Sequence, residues 1–99
     1  SKIYCKKRIE IGYNTIIAEE VKIMDSDSHQ LEEASIVTEP IKIGNNVWIG
    51  LGAIILKGVK IDDGSVIAAH SVVTKSIPKN CLAAGNPAKI IKHNINWKF

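Results

Sequence analysis

A six-residue period runs through the chain and restricts its folding more than any other feature. Ile43, Ile49, Ile55, Ile61, Ile67 and Val73 each follow the last by six positions, and Cys5, Ile11, Ile17 and Ile23 keep the same step upstream. A second, weaker series sits four residues into each unit: Ile9, Thr15, Val21, Val47, Ala53, Val59, Ser65, Ser71 and Ile77. Small residues (Gly12, Ala18, Gly44, Gly50, Ala68) often follow the leading aliphatic. A helix would repeat its apolar positions about every 3.6 residues and a one-faced strand every two. Six matches neither. It matches one side of a triangular coil: a short strand, a turn, and one aliphatic pointing inward at fixed phase.

Three such units make an eighteen-residue coil, and parallel strand pairing stacks coils roughly 4.8 Å apart. Stacking then sets Ile43 under Ile61, Ile49 under Ile67 and Ile55 under Val73. The interior becomes columns of Ile and Val, residues that suit a pleated surface. One coil cannot bury its inner face alone, so stability comes from neighbours. A set of short antiparallel strands is the competing arrangement. It accounts less well for a step held over ten positions with one interruption. The expected class is all-β, a parallel β-helix.

Composition bounds the rest. A chain of 99 residues makes one domain with a thin core. No apolar run approaches the roughly 20 residues of a membrane span, and no charged-then-apolar signal opens the chain. Cys5 and Cys81 fall near opposite ends of the expected stack, beyond the roughly 7 Å Cα separation a disulfide tolerates. Both thiols are expected reduced, with Cys5 in the core, and a reducing compartment reads as cytoplasmic. The net charge of +3 hides an asymmetry. From Ser65 onward there are five lysines (Lys75, Lys79, Lys89, Lys92, Lys98) and no acid, whereas acids slightly outnumber bases up to Gly64. A basic end on a mildly acidic body suits an anionic ligand near the last coils. Nucleic acid is disfavoured, because no aromatic stacking platform accompanies the lysines.

The period breaks once. Ile23 and Ile43 lie twenty residues apart where a whole coil would give eighteen. The polar stretch within the gap predicts a loop at about 25–40 that leaves the prism and returns at Pro40. Extruded loops on rigid scaffolds are favoured places for function. His29 lies in it, preceded by Asp25 and Asp27. A carboxylate can fix the tautomer of an imidazole and leave the other nitrogen as a base.

The strings Ile43-Gly44-Asn45-Asn46-Val47-Trp48-Ile49-Gly50, Gly64-Ser65-Val66-Ile67-Ala68-Ala69, Ser71-Val72-Val73-Thr74-Lys75 and Ala84-Gly85-Asn86-Pro87-Ala88-Lys89 resemble the hexapeptide-repeat O-acetyltransferases. Within that family the nearest types are the galactoside and maltose O-acetyltransferases and enzymes that modify polysaccharides. The resemblance covers about Ile9 to Lys92. It implies a left-handed parallel β-helix over 1–92 with one extruded loop, a C-terminal capping tail over 93–99, and a homotrimer whose active sites lie between prisms. It also implies transfer of an acetyl group from acetyl-CoA to a hydroxyl of a sugar or related small molecule, with no metal, nucleic acid or membrane involved. His29 matches the family's catalytic base, Trp48 the aromatic that walls the reaction centre, and the Leu51 N–H the oxyanion donor. Ala69, Thr74 and Lys75 match contacts along the pantetheine arm, and Lys89 and Lys92 stand where basic residues approach the nucleotide phosphates. Two features depart from the pattern: Leu51 is bulky where the family is commonly small or polar, and residues that grip the acceptor lie upstream in the relatives.

Two other readings remain open from the residues. His29, His70 and His93 could serve a γ-carbonic-anhydrase-like zinc site, although catalytic zinc needs about three ligands in fixed geometry and none of these are paired at a ligand spacing. A non-catalytic trimeric scaffold is the other. Beyond Lys89 the repeat stops, and Ile90, Ile91, Ile95, Trp97 and Phe99 predict a cap over the open last coil.

Overall fold

The computed structural model describes residues 2–4, 8–24 and 39–97. They form twelve short strands: β1 (Lys2–Tyr4), β2 (Ile9–Ile11), β3 (Ile16–Ile17), β4 (Lys22–Met24), β5 (Ile41–Ile43), β6 (Trp48–Ile49), β7 (Ile54–Ile55), β8 (Lys60–Ile61), β9 (Val66–Ile67), β10 (Val72–Val73), β11 (Leu82–Gly85) and β12 (Ala88–Lys92). Up to β10, every third strand falls on the same sheet. The first side of the prism is β1-β4-β7-β10, the second is β2-β5-β8, and the third is β3-β6-β9-β11 with β12 added at the edge. All pairs are parallel except β11 with β12. The coils wind in the left-handed sense, against the usual right-handed crossover. No described helix is long and apolar enough to cross a membrane.

The expected stacking is observed. Ile43 is in register with Ile61, Ile49 with Ile67, and Ile55 with Val73. The second series proves as important as the first, because Val21, Val47, Ala53, Val59, Ser65 and Ser71 are also at most 1 % exposed. Each coil therefore sends inward both the strand residue and the residue that opens the strand. Burying one such Ile is worth roughly 1.5–3 kcal/mol. Burial follows the number of neighbouring coils: Ile23, stacked between β1 and β7, is fully buried, whereas Ile3 is 50 % exposed.

Three details differ from the expected phase. Ile3, rather than Cys5, lies in register with Ile23; Cys5 itself is outside the described residues. Ile77 pairs with Ile61, so it belongs to the leading column and not to the second series, since the last turn drops two residues. The interruption is also larger than a comparison with one coil implied. Strands β4 and β5 occupy adjacent sides, where the regular step is six, so the twenty residues from Ile23 to Ile43 include fourteen extra ones. The partners on either side stay aligned: Ile23 pairs with Ile55, and Ile11 with Ile43.

The corners explain much of the remaining composition. The last residue of each tight turn has a positive φ: Asn14, Asn46, Gly64 and Asn80 where the second side meets the third, and Glu20, Gly52 and His70 where the third meets the first. A type II turn requires this conformation at its second central residue, and Gly and Asn adopt it most readily. At the C-terminal end, β12 lies on the open edge of β11, and the Ile95 N–H donates to the Asn80 carbonyl at 2.9 Å.

Candidate active site

The two corners flanking the third side are built alike and finished differently. At the second-to-third corner, side chains close the gaps between turns. Asn45 Oδ1 accepts from the Tyr13 N–H at 2.9 Å, and Asp63 Oδ1 accepts from the Asn45 N–H at 2.7 Å. The space beside Gly44 that a Cβ would need is filled by the Asp63 carboxylate. We call this the ladder corner.

At the third-to-first corner the equivalent turns are Glu19-Glu20, Leu51-Gly52 and Ala69-His70. The N–H of each second residue donates to the carbonyl of the first residue in the neighbouring coil: Gly52 N–H to Glu19 O at 3.0 Å, and His70 N–H to Leu51 O at 2.8 Å. Gly50 N–H and Ala68 N–H likewise donate to Ile67 O and Ala83 O. The intervening N–H groups of Leu51 and Ala69 donate to no described residue. The residues stacked at these positions, Leu and Ala, carry no acceptor, so no side-chain ladder can form. We call this the open corner. It presents two stacked backbone donors on exposed residues.

Close approach of the backbones keeps the corner flat. A Cβ on Gly50 would lie 2.7 Å from Ala69 N and 2.9 Å from Ile67 O. The His70 imidazole lies across Gly52, where a side chain on residue 52 would otherwise stand.

The expected site residues fall as follows. His29 lies outside the described residues. Trp48, on β6, faces outward from the third side, 43 % exposed, and its ring packs against Trp97 with centroids 5.6 Å apart and planes inclined by 52°. Leu51 and Ala69 come together at the open corner. Lys89 and Lys92, both exposed, sit on β12 opposite Ala84 and Leu82, on the same side of the prism as Trp48. Thr74 and Lys75 are exposed at the far end of β10, one prism side away from Ala69. The contact of Trp97 with Trp48 was not foreseen. The chain has only two tryptophans, and a tail long enough to fold back was the available signal. His93 also meets the core, with Nδ1 3.4 Å from the Sγ of the buried, free Cys81. Among the described residues no cluster of His, Cys, Asp and Glu is arranged to hold a metal.

Residues 40–75 match the family model described as bacterial transferase hexapeptide (six repeats). The galactoside O-acetyltransferase of Escherichia coli K12 is 44 % identical over 88 residues, covering 85 % of this chain and 43 % of that protein. Among solved structures, the polySia-specific acetyltransferase NeuO superposes with a TM-score of 0.88 at 40 % identity, over 98 % of this chain and 48 % of that one. A galactoside acetyltransferase in complex with coenzyme A superposes with a TM-score of 0.79 at 43 % identity, over 87 % of this chain and 45 % of that one. The chain thus spans less than half the length of these relatives. Register-matched columns, positive-φ turns and likeness in both sequence and fold agree: the chain is a hexapeptide-repeat β-helix, similar over most of its length to acetyltransferases built on that repeat.

Proposed function

We propose that this chain forms the coenzyme-binding β-helix of an acetyl-CoA-dependent O-acetyltransferase, acting on a hydroxyl of a sugar or related small molecule. The observation that carries the reading is the open corner, where the N–H groups of the exposed residues Leu51 and Ala69 donate to no described residue. Likeness to a galactoside acetyltransferase holding coenzyme A supports the co-substrate. The carbohydrate acceptors in the names of NeuO and the galactoside enzymes support a sugar.

In this reading His29 takes the proton from the acceptor hydroxyl as its oxygen attacks the thioester carbonyl carbon. A C–O bond forms and the carbonyl electron pair moves onto oxygen, where the Leu51 N–H donates to it. Collapse breaks the C–S bond, and the departing thiolate recovers the proton from His29, leaving coenzyme A and an acetyl ester. No acetyl-enzyme forms. A positioned base contributes about 10²–10⁴-fold, and one oxyanion donor about 10²–10³-fold. Trp48, braced by Trp97, walls the reaction centre. The small Ala69 admits the pantetheine arm to the backbone, while Lys89 and Lys92 offer point charges to the nucleotide phosphates. Thr74 and Lys75 sit one prism side away from Ala69. They meet the coenzyme only if it crosses that side or is held between neighbouring prisms of a homotrimer. The buried, unpaired Cys81 thiol suits the cytoplasm.

The test is coenzyme A release from acetyl-CoA across a panel of sugars, comparing the native protein with His29→Ala. Transfer should fall at least about 100-fold in the variant while acetyl-CoA still binds. Unchanged transfer would remove His29 as the base. Binding of acetyl-CoA with no transfer to any hydroxyl would instead favour a scaffold.

A further inference from the structure

The ladder corner and the second side enclose a feature that acetyl transfer does not use. A groove of about 260 Å³ is lined by Lys42, Gly44, Lys60, Ile61, Asp62, Asp63 and Lys79. It spans three coils, from β5 through β8 to the turn that carries Lys79. Lys42 stands in direct register between Glu10 and Lys60 on the neighbouring strands, and on the Lys60 side like charges repel. Its two carboxylates are already engaged. Asp62 pairs with Lys60 at 3.9 Å, and Asp63 Oδ1 accepts from the Asn45 N–H at 2.7 Å. Among the described residues neither Lys42 nor Lys79 has a carboxylate within ion-pair distance. Gly44 leaves the wall without a side chain, so the Asp63 carboxylate folds against the backbone there. Three lysines and two aspartates leave the lining a net charge of +1, held in a concave site, which concentrates small anions.

We propose that this groove binds an oxyanion, a phosphate or a carboxylate, between Lys42 and Lys79 with Lys60 beside it. The site is separate from the open corner and lies across the prism from Leu51 and Ala69. Its occupant bridges charges that would otherwise repel, and lysine serves such groups as a mobile point charge. The oxyanion is either a free phosphate or the acid group of an acidic sugar.

The protein is titrated at low, constant ionic strength with inorganic phosphate and, separately, with glucuronate, following the backbone amide resonances of Gly44, Asp62 and Lys79. Saturable shifts are expected at these amides. Lys42→Gln combined with Lys79→Gln should weaken them by about fivefold or more, each exposed charge contributing up to about that factor. Lys89→Gln combined with Lys92→Gln should leave them unaltered, which separates this site from any coenzyme site and keeps the outcome independent of acetyl transfer. Tighter binding of phosphate identifies a free ion, and tighter binding of glucuronate an acidic sugar. Absence of saturable shifts with both probes overturns the proposal. So does a double lysine variant that titrates like the native protein.

Discussion

The ladder corner and the open corner share a positive-φ turn and differ in whether side chains satisfy its N–H groups and in how closely the backbones approach. At the ladder corner, Asn45 and Asp63 carry acceptors of the right reach, and successive turns are tied from below. At the open corner, Leu51 and Ala69 carry none, and their N–H groups donate to no described residue. A regular solenoid thus makes donors at every corner, and the choice of residue decides where they are spent internally and where they are left for a ligand. In the proposed reading, stability and function occupy equivalent positions, separated by a change of side chain.

The comparison can be broken most severely at Gly50. A side chain there meets the backbone of the next coil, Ala69 N at 2.7 Å and Ile67 O at 2.9 Å, and backbone cannot swing aside. Gly50→Val should lower the unfolding free energy by about 3 kcal/mol or more, measured by denaturant titration. Gly44→Val meets the Asp63 carboxylate, a group that can rotate, and backbone only at the wider distance of 3.0 Å to Asp63 N, and should cost less. Equal losses would mean that the two corners are not packed differently.

Leu51→Pro tests the donor itself. Gly52 at φ 71° sets a type II turn, whose first central position accepts Pro, so the substitution removes the N–H and little else. Acetyl transfer should drop about 100-fold with the unfolding midpoint nearly unchanged. Preserved activity would discard Leu51 as the oxyanion donor. The smallest effect is expected from Asn45→Ala at the ladder corner. It loses one exposed hydrogen bond, costing about 0.5–1 kcal/mol in stability, and should leave the rate of transfer as it was.

Much of this architecture was legible because one physical constraint repeats. An inward aliphatic must recur once per side, so Ile43, Ile49 and Ile55 announce their own partners at Ile61, Ile67 and Val73. The phase failed where coils at the ends change length. Ile3 replaces Cys5 beneath Ile23, and Ile77 advances into the column of Ile61, because a terminal coil has fewer neighbours to hold it to the register. The buried Ser65 was also visible only as a weak member of its series. Its hydroxyl donates to Pro78 O at 2.5 Å and accepts from Cys81 N at 3.2 Å, bonds that depend on the shortened last turn. The pairing of Trp48 with Trp97 and the open groove of lysines arise from segments far apart in sequence, which no local period records. The contrast between corners was hidden for a related reason: an uncommitted N–H has no letter of its own in a sequence.

Strands β4 and β5 tolerate fourteen additional residues between them while the partners of Ile23 and Ile11 remain aligned. The column therefore behaves as a mounting rail rather than as a continuous thread. Segments of other lengths and chemistries can be exchanged at that corner without re-solving the interior.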